Sequence, residues 1–302
     1  MINVTKKENK VYFLTATFNR QALTRKSISD LEKQNGFHKL DSEIWVIEAG
    51  DYDKTYDSLK DIANKNLKLI KAPENTFWSS AMSIGIDQIS KDAKPDDIII
   101  CFNNDITVPD QILANIITQI TNQARLVISP LSVSPYDERV IATGVIVKNW
   151  YFGINETPFN GRKYDQITNT NLIEVDYMTQ RLMAFRAGLI FESGNYNSKW
   201  LPHYGGDYEF TFRAKSKGYS IAIDPKMKIY IDERETGLNP KYRKLTFIQR
   251  LFSLFSVRSS NNLLKNIKFS LLTAPLRAQP LNLIALIAKS LILALLASPR
   301  SK

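Results

Sequence analysis

The sequence has little cysteine and little histidine. Cys101 is the single cysteine among 302 residues, so no disulfide can form within the chain, as is usual in a reducing compartment. The two histidines, His38 and His203, are too few for a zinc site built from histidine. The first twenty residues hold no apolar run as long as a secretory signal requires, and we therefore expect no signal peptide.

Acidic residues are absent from the last part of the sequence. No Asp or Glu follows Glu235, whereas the remaining 67 residues carry eleven Lys and Arg. Residues 1–235 hold 29 basic and 30 acidic side chains, so the net charge of +10 comes from the C-terminal segment alone. That segment interleaves its charges with Leu, Ile and Phe and contains no nucleic-acid recognition module. We therefore expect a lipid surface as its partner, and no nucleic acid.

Short apolar runs alternate with helical patterns through the first half of the chain. The pattern predicts strands at 11–17, 43–47, 67–70 and 97–102, and helices at 20–34, 56–65, 77–90 and 109–123. Strands separated by helices indicate an α/β fold with a mainly parallel, Rossmann-like sheet covered by helices on both faces. Ligands bind beyond the carboxyl ends of such strands, so residues 17–20, 48–51 and 103–105 should converge on one crevice.

The second half is less regular. Strands are predicted at 126–128, 141–147, 173–177, 181–186 and 220–223, with a loop at 150–171 and helices from 188 and at 207–217. From Lys241 onward the pattern becomes basic and amphipathic, and residues 281–297 are apolar except at Asn282, Lys289 and Ser290. Those 17 residues fall short of the ~20 that cross a bilayer.

We interpret residues 241–302 as a helical tail that lies on an anionic membrane surface. The alternative is a helical cap that packs on the main domain, or on another subunit in a homo-oligomer.

Two acidic stretches could carry chemistry. Asp105 ends the segment Phe102-Asn103-Asn104-Asp105, where a carboxylate and two amides could bind a divalent cation or could simply cap a helix. Asp207 and Glu209 lie in the first turn of a predicted helix, where the helix dipole alone would stabilise them. One of them could instead act as a general base toward a hydroxyl group.

Other side chains follow the same strands or lie near these carboxylates. Glu48 comes directly after a strand and could accept the imide N–H of a pyrimidine, although a solvated loop acid is the simpler interpretation. Trp78 and Trp200 could stack on a base or a sugar, but large aromatic side chains more often pack in the core.

In their order and spacing, these segments resemble the family 2 glycosyltransferases, which have the GT-A fold. The likeness is closest to bacterial, rhamnosyltransferase-like members that build cell-surface polysaccharides. It covers about residues 11–240 and is carried by residues 17–20 (TFNR), 46–51 (VIEAGD), 73–78 (PENTFW), 82–86 (MSIGI), 102–105 (FNND) and 206–210 (GDYEF), the last followed by Arg213 and Gly218.

The resemblance implies transfer of a sugar from a nucleotide diphosphate donor, dTDP- or UDP-linked, to a hydroxyl of a lipid-linked glycan. Asp105 would hold Mg²⁺ or Mn²⁺, Asp207 would be the base of an inverting reaction, and Glu209 would support the acceptor or the geometry of the site. Donor-binding residues would be Thr17, Asn19, Arg20, Glu48, Trp78, Asn103 and Asn104, and acceptor-binding residues Trp200, His203 and Glu209.

The expected domain organisation is a transferase domain at 1–240, with a nucleotide-sugar half to about 125 and an acceptor half from 126, followed by the tail. The expected location is the cytoplasmic face of the cell membrane.

The sequence departs from the family pattern at the metal motif. Asn103 stands where an acid is frequent, and no histidine follows His203, so Asp232, Glu233 or water would have to complete the metal shell. A catalytically silent carbohydrate-binding or scaffold protein is therefore the alternative function. A sugar-phosphate nucleotidyltransferase is disfavoured because residues 15–20 contain no glycine for a phosphate loop.

Overall fold

The computed structural model of the protein describes residues 9–60, 66–141, 143–232 and 246–296. Within these residues the chain forms a ten-stranded sheet, a separate three-stranded sheet and nine α-helices. The predicted boundary between domain and tail at residue 240 lies outside the described residues.

The first half contains the predicted alternation of strands and helices. Its elements are β1 (Val11–Thr17), α1 (Gln21–Glu32), β2 (Ser42–Glu48), α2 (Tyr52–Leu59), β3 (Leu67–Lys71), α3 (Trp78–Ile89), β4 (Ile98–Phe102), β5 (Ile106–Thr107) and α4 (Ile112–Asn122). Helix α2 begins four residues before the predicted start because Asp51 accepts a hydrogen bond from the Lys54 N–H at 3.1 Å and caps it. The predicted C-terminal end of that helix, residues 61–65, lies outside the described residues.

The prediction that Pro109 opens a helix is wrong. Helix α4 begins at Ile112, and the residue before it, Gln111, has a φ of 70°, so the chain reverses direction between the proline and the helix. The carbonyl oxygens of Val108 and Pro109 instead accept hydrogen bonds from the Gln34 side chain, at 3.2 and 3.0 Å.

The second half has more strands than the pattern predicted, and the two that begin at Leu126 and Ser220 extend further than predicted. Its elements are β6 (Leu126–Val133), β7 (Val140–Ile141), β8 (Gly144–Asn149), β9 (Ile154–Glu156), β10 (Ile173–Glu174), β11 (Tyr177–Met178), β12 (Leu182–Arg186), α5 (Gly188–Ser193), α6 (Gly206–Ser216) and β13 (Ser220–Ile231). The predicted strands at 141–147 and 173–177 are each divided in two, and the predicted loop at 150–171 contains β9.

Strand direction in the large sheet changes at β12. The order is β10-β13-β6-β12-β4-β1-β2-β3, in which β4, β1, β2 and β3 are parallel to one another and β13 is parallel to β6. Strand β12 lies antiparallel between β4 and β6, with Leu182 opposite Phe102. The residues that precede β12 therefore lie beside those that follow β4, at the same edge of the sheet.

The core lies on both faces of this sheet, as predicted. Tyr12 and Leu14 of β1 pack with Met82 and Ile86 of α3 on one face. Their neighbours Val11 and Phe13 pack on the other face, with Ile28 and Leu31 of α1. Alternation along a strand thus buries β1 completely, because successive side chains enter opposite helical layers.

The tail consists of α7 (Phe247–Ser253), α8 (Leu263–Thr273) and α9 (Gln279–Leu296), and polar side chains of α9 make hydrogen bonds with the rest of the protein. In α9, Asn282 accepts a hydrogen bond from Ser270 Oγ at 2.7 Å and donates one to the Trp150 carbonyl. Lys289 Nζ donates to the carbonyl oxygen of Phe152 at 3.2 Å. Ser290 accepts hydrogen bonds from the Asn261 and Asn266 side chains, at 3.1 and 2.9 Å. Asn282 and Lys289 thus attach α9 to residues 150–152, whereas Ser290 joins α9 to the residues at and before the start of α8.

The apolar side chains of the tail are more exposed than its polar ones. Nineteen large apolar side chains are exposed among the described residues, and eleven of them belong to residues 246–296. That segment makes up less than a fifth of the described residues. Leu276, Phe252, Ile248 and Ile284 are 82%, 71%, 63% and 63% exposed. Across the part of the chain that the structure describes, no helix has both the length and the apolarity needed to cross a membrane.

Candidate active site

The loops after β1, β2 and β4 meet at one crevice. Asn104 Nδ2 donates to the hydroxyls of Thr17 and Thr24, both at 3.0 Å, and Arg20 Nη1 forms an ion pair with Asp105 Oδ2 at 3.2 Å. These contacts join the loop after β4 to the loop after β1. Asn104 and Thr17 are buried, and in the structure their hydrogen bonds hold the two loops together.

Glu48 joins the loop after β2 to the same crevice. Its side chain is completely buried. Oε1 accepts from the N–H groups of Asn19 at 3.3 Å and Gly50 at 2.6 Å, and Oε2 accepts from the Thr55 hydroxyl at 2.5 Å. Asn19 has a φ of 53° and accepts from the Asp51 N–H at 2.6 Å. Both oxygens of Glu48 are therefore used within the protein, and its contact with a base stays a prediction.

Asp105 and Asn103 present oxygen atoms to the crevice. Asp105 Oδ1 and Asn103 Oδ1 are buried and have no hydrogen-bond partner among the described residues. Burial raises the pKa of Asp105, and the charges of Arg20 and Arg181 oppose that rise. A carboxylate oxygen and an amide oxygen fit a hard divalent cation whose other ligands are phosphate oxygens and water.

The described residues contain no group of three or more His, Cys, Asp or Glu that could hold a metal by themselves. Of the side chains considered as a further ligand, Asp232 accepts a hydrogen bond from the Tyr136 hydroxyl, and Glu233 lies outside the described residues. A metal bound at Asp105 would therefore depend on the substrate for part of its shell.

Asp207 lies at the first turn of α6, held by two backbone N–H groups. Oδ1 accepts from Tyr208 N at 2.9 Å and Oδ2 from Gln180 N at 3.2 Å. The turn requires glycine: Gly205 has a φ of 84°, and a Cβ at Gly206 would lie 2.1 Å from Ser79 Oγ. Burial raises the pKa of Asp207, while the backbone hydrogen bonds and the charge of Arg181 oppose the rise.

Arg181 and Gln180 also lie at the site; by resemblance to the family, the sequence placed Thr179-Gln180-Arg181 on the acceptor side, but it gave neither residue a role of its own. Because β12 is antiparallel to β4, the Arg181 carbonyl accepts from the Asn103 N–H at 2.9 Å. The charge of Arg181 lowers the pKa of both Asp105 and Asp207, so both carboxyl groups lie in the electrostatic field of its guanidinium. Arg181 Nη1 and both amide atoms of Gln180 are buried without a hydrogen-bond partner in the described residues.

The predicted acceptor residues have different surroundings. His203 packs between the rings of Phe77 and Tyr204, with centroids 5.7 and 4.4 Å away. Burial, aided by the charge of Arg258, lowers the pKa of His203 to about 4, so its imidazole is neutral near pH 7. Trp200 is 41% exposed and available for stacking. These two contacts with an acceptor stay predictions.

Glu209 and Trp78 make contacts within the protein. Glu209 is buried and forms a two-point ion pair with Arg213, at 2.8 and 3.1 Å, and Arg213 also donates to the Asn195 carbonyl at 2.8 Å. This arrangement fits the alternative that Glu209 maintains the geometry of the site. Trp78 is half-buried, and its ring centroid lies 6.1 Å from that of Tyr196. Its contact with the donor stays a prediction.

Two basic residues of the tail also reach this crevice. The Arg258 guanidinium lies 5.8 Å from the ring centroid of Phe18, in the loop after β1. A Cβ at Gly205 would lie 3.3 Å from Lys265 Cδ, so the Lys265 stem covers the turn before Asp207. The sequence offered no local signal for either contact, because both residues lie in a segment whose charges suggested a lipid surface.

A family model described as "Glycosyl transferase family 2" matches residues 12–186, more than half of the chain. The chain belongs to glycosyl transferase family 2. The match covers the loops after β1, β2 and β4 and ends with β12, whereas Asp207 lies beyond it. No curated protein matches the sequence.

Two solved structures share the GT-A fold. GalNAc-T7, whose structure holds UDP, GalNAc and Mn²⁺, is 15% identical with a TM-score of 0.59, and the match covers 75% of this chain but 44% of that one. The family 2 chain thus spans less than half the length of GalNAc-T7. The mannosyltransferase PcManGT from Pyrobaculum calidifontis, in complex with GDP-Man and Mn²⁺, is 14% identical with a TM-score of 0.56, covering 94% and 69% of the two chains.

Proposed function

We propose that the protein transfers a hexosyl or deoxyhexosyl group from a nucleotide diphosphate sugar to a hydroxyl of a glycan acceptor, with inversion. The observation that carries the proposal is the half-buried Asp207 carboxylate, held by two backbone N–H groups and sharing the charge of Arg181 with Asp105. Family membership supports the reaction class, and a silent binding protein would not require a carboxylate with a raised pKa beside the crevice.

In this reaction Asp207 accepts the proton of the acceptor hydroxyl while that oxygen forms its bond to the anomeric carbon of the donor sugar. The bond from that carbon to the diphosphate breaks, and the nucleoside diphosphate leaves with its electron pair. A carboxylate with a raised pKa is a stronger base when ionised than one in water. Its fixed position removes the need to reorient during the step.

A divalent cation, Mg²⁺ or Mn²⁺, fits this site through Asp105 and Asn103. When bound, it would neutralise negative charge on the diphosphate of the departing nucleotide. The Mn²⁺ in the two similar structures supports a metal, and their UDP and GDP-Man support a nucleotide-sugar donor. The dTDP- or UDP-linked donor and the rhamnosyltransferase-like type are proposals from the sequence motifs.

The tail supports a location on the cytoplasmic face of the cell membrane and a lipid-linked acceptor. Its outward apolar side chains, including Phe252, Phe255 and Leu276, would enter the boundary of the acyl chains. Its lack of acid would allow it to approach anionic headgroups. The polar contacts of α9 also attach the tail to the catalytic body. The tail can therefore be both a helical cap on the main domain and a surface that binds the membrane.

The test is release of nucleoside diphosphate from a panel of nucleotide sugars with Mn²⁺ and membrane-extracted glycolipid acceptors. We expect one donor to be turned over, and Asp207→Asn to reduce turnover by about 10³-fold or more because the base is removed. Asp57→Asn, which changes an exposed carboxylate in the same way, should retain the wild-type rate. Turnover by Asp207→Asn at the wild-type rate would remove Asp207 as the base.

A further inference from the structure

Lys265 is a basic residue of the tail that lies at the reaction centre. Its stem covers Gly205, two residues before Asp207. Its position is fixed by the helix that carries it: Phe269, one turn further along α8, packs its ring 5.4 Å from Tyr177 and 6.2 Å from Tyr208. Helix α8 is also tied to α9, because Ser270 donates to Asn282. The lysine is thus presented to the site by a packed helix.

The charge of Lys265 is not neutralised by a close acidic partner. It makes no ion pair within 4.0 Å with a described residue, although burial lowers its pKa to about 8 and the charge of Asp207 opposes that shift. At neutral pH the ammonium group is therefore mostly protonated. Because Lys265 is only half-buried, a ligand in the crevice can reach it, and titratable groups with a shifted pKa are concentrated at functional sites.

A second cation faces the same carboxylate. Arg181 acts on the pKa of Asp207, and its Nη1 is buried without a hydrogen-bond partner among the described residues. Lys265 lies against Gly205, two residues before Asp207, and Arg181 follows Gln180, whose N–H donates to Asp207 Oδ2 at 3.2 Å. The two cations therefore come close to Asp207 from a tail helix and from the residue before β12. Together they offer N–H donors to a compact anion with several oxygen atoms, for which phosphate is the best match.

We infer that Lys265 and Arg181 bind a phosphate group of a substrate, so that the tail completes the reaction centre. This inference rests on the proposed function, which supplies two sources of that chemistry: the diphosphate of the donor and the phosphate of a lipid-linked acceptor. In either case Lys265 is a binding residue, distinct from the metal site at Asp105 and from the base.

The test is calorimetric titration of the full chain with inorganic pyrophosphate in the absence of metal. We expect Lys265→Met to weaken binding by about tenfold or more, because a charge-assisted hydrogen bond is lost. Lys268→Met removes the same charge from the same helix and should leave the affinity within twofold. Equal affinities of wild type, Lys265→Met and Lys268→Met would overturn the inference.

Two further measurements make the result specific. Lys265→Arg keeps the charge and should restore most of the affinity, whereas an affinity as low as that of Lys265→Met would indicate a packing role and count against the inference. Asp207→Asn, which tests the proposed base, should still bind pyrophosphate. The lysine effect therefore remains measurable even if no sugar transfer is found.

Two further titrations distinguish whether the phosphate belongs to the donor or to the acceptor. In the first, UDP and GDP are titrated with Mn²⁺; in the second, geranyl diphosphate is titrated into protein saturated with the better nucleotide and Mn²⁺. A loss for Lys265→Met in the first arm assigns the site to the donor, and a loss confined to the second assigns it to the acceptor. A loss in neither arm would overturn the inference.

Discussion

Burial determines the chemistry of individual carboxylates in this site. Asp207 and Asp105 both have a raised pKa, whereas Glu48 is completely buried and uses its two oxygens within the protein. Glu48 accepts three hydrogen bonds and anchors loops, whereas Asp105 keeps one oxygen without a partner among the described residues. Each oxygen of Asp207 accepts a single backbone N–H and can still accept a proton. Hydrogen-bond partners therefore separate the roles of residues that the sequence presents alike.

A pH dependence follows from the pKa of Asp207. As the proposed base, Asp207 would work only when ionised, and a raised pKa means that the ionised form is lost at a higher pH than for an ordinary aspartate. The rate should therefore fall as the pH falls through the raised pKa of Asp207, which lies above the ~4 of an ordinary aspartate. The measurement is kcat from pH 4 to pH 8 under saturating donor.

His203 provides the control for this profile. Its pKa of about 4 leaves the imidazole neutral through most of the range, so His203→Gln should keep the position of the acidic limb even if it alters KM. A rate that stays constant down to pH 4 in the wild type would contradict the assignment of a raised pKa to the base.

Among the elements, β12 does most to assemble the site. Its antiparallel insertion places Gln180 and Arg181 beside the residues that follow β4. The parallel strands of the first half were predictable, because continuous apolar runs alternate with helical patterns and the residues after them must share one edge. The direction of β12 was not, because its four-residue apolar run, Leu182–Phe185, has no feature that specifies which way it pairs.

The removal of Arg181 tests the importance of this insertion. Because its charge lowers the pKa of Asp207, Arg181→Met should move the acidic limb of the kcat profile to higher pH and reduce kcat by about tenfold or more. Arg162→Met, at an exposed arginine outside the crevice, is the matched control. An acidic limb that stays at the wild-type pH would show that the guanidinium does not act on the base.

For the molecule as a whole, the tail combines two surfaces. Its polar side chains attach it to the catalytic body, and most of its large apolar side chains remain outside. The composition of the sequence predicted the basic and apolar character of the tail. It could not predict which faces turn inward, because that depends on contacts with residues 150–153 and with α6, far away in the sequence.

The membrane role is tested by changing exposed side chains without deleting the tail. Phe252→Asp with Leu276→Asp should abolish co-sedimentation with liposomes of anionic phospholipid, since two apolar side chains are replaced by charges that the surface repels. Phe191→Asp, at a half-exposed phenylalanine of α5, should bind as the wild type does. Equal sedimentation of the double variant would contradict the lipid-facing orientation.

Helix α8 exposes Leu264 and directs the neighbouring Lys265 to the crevice. The usual remedy for an insoluble preparation, a stop codon before the hydrophobic end, would thus remove Lys265 of the proposed phosphate site along with the exposed apolar surface. Such a shortened protein would be soluble and monodisperse and yet inactive, and its lack of turnover would be attributed to the absence of lipid. For this enzyme, solubility is better sought with surface substitutions or detergent.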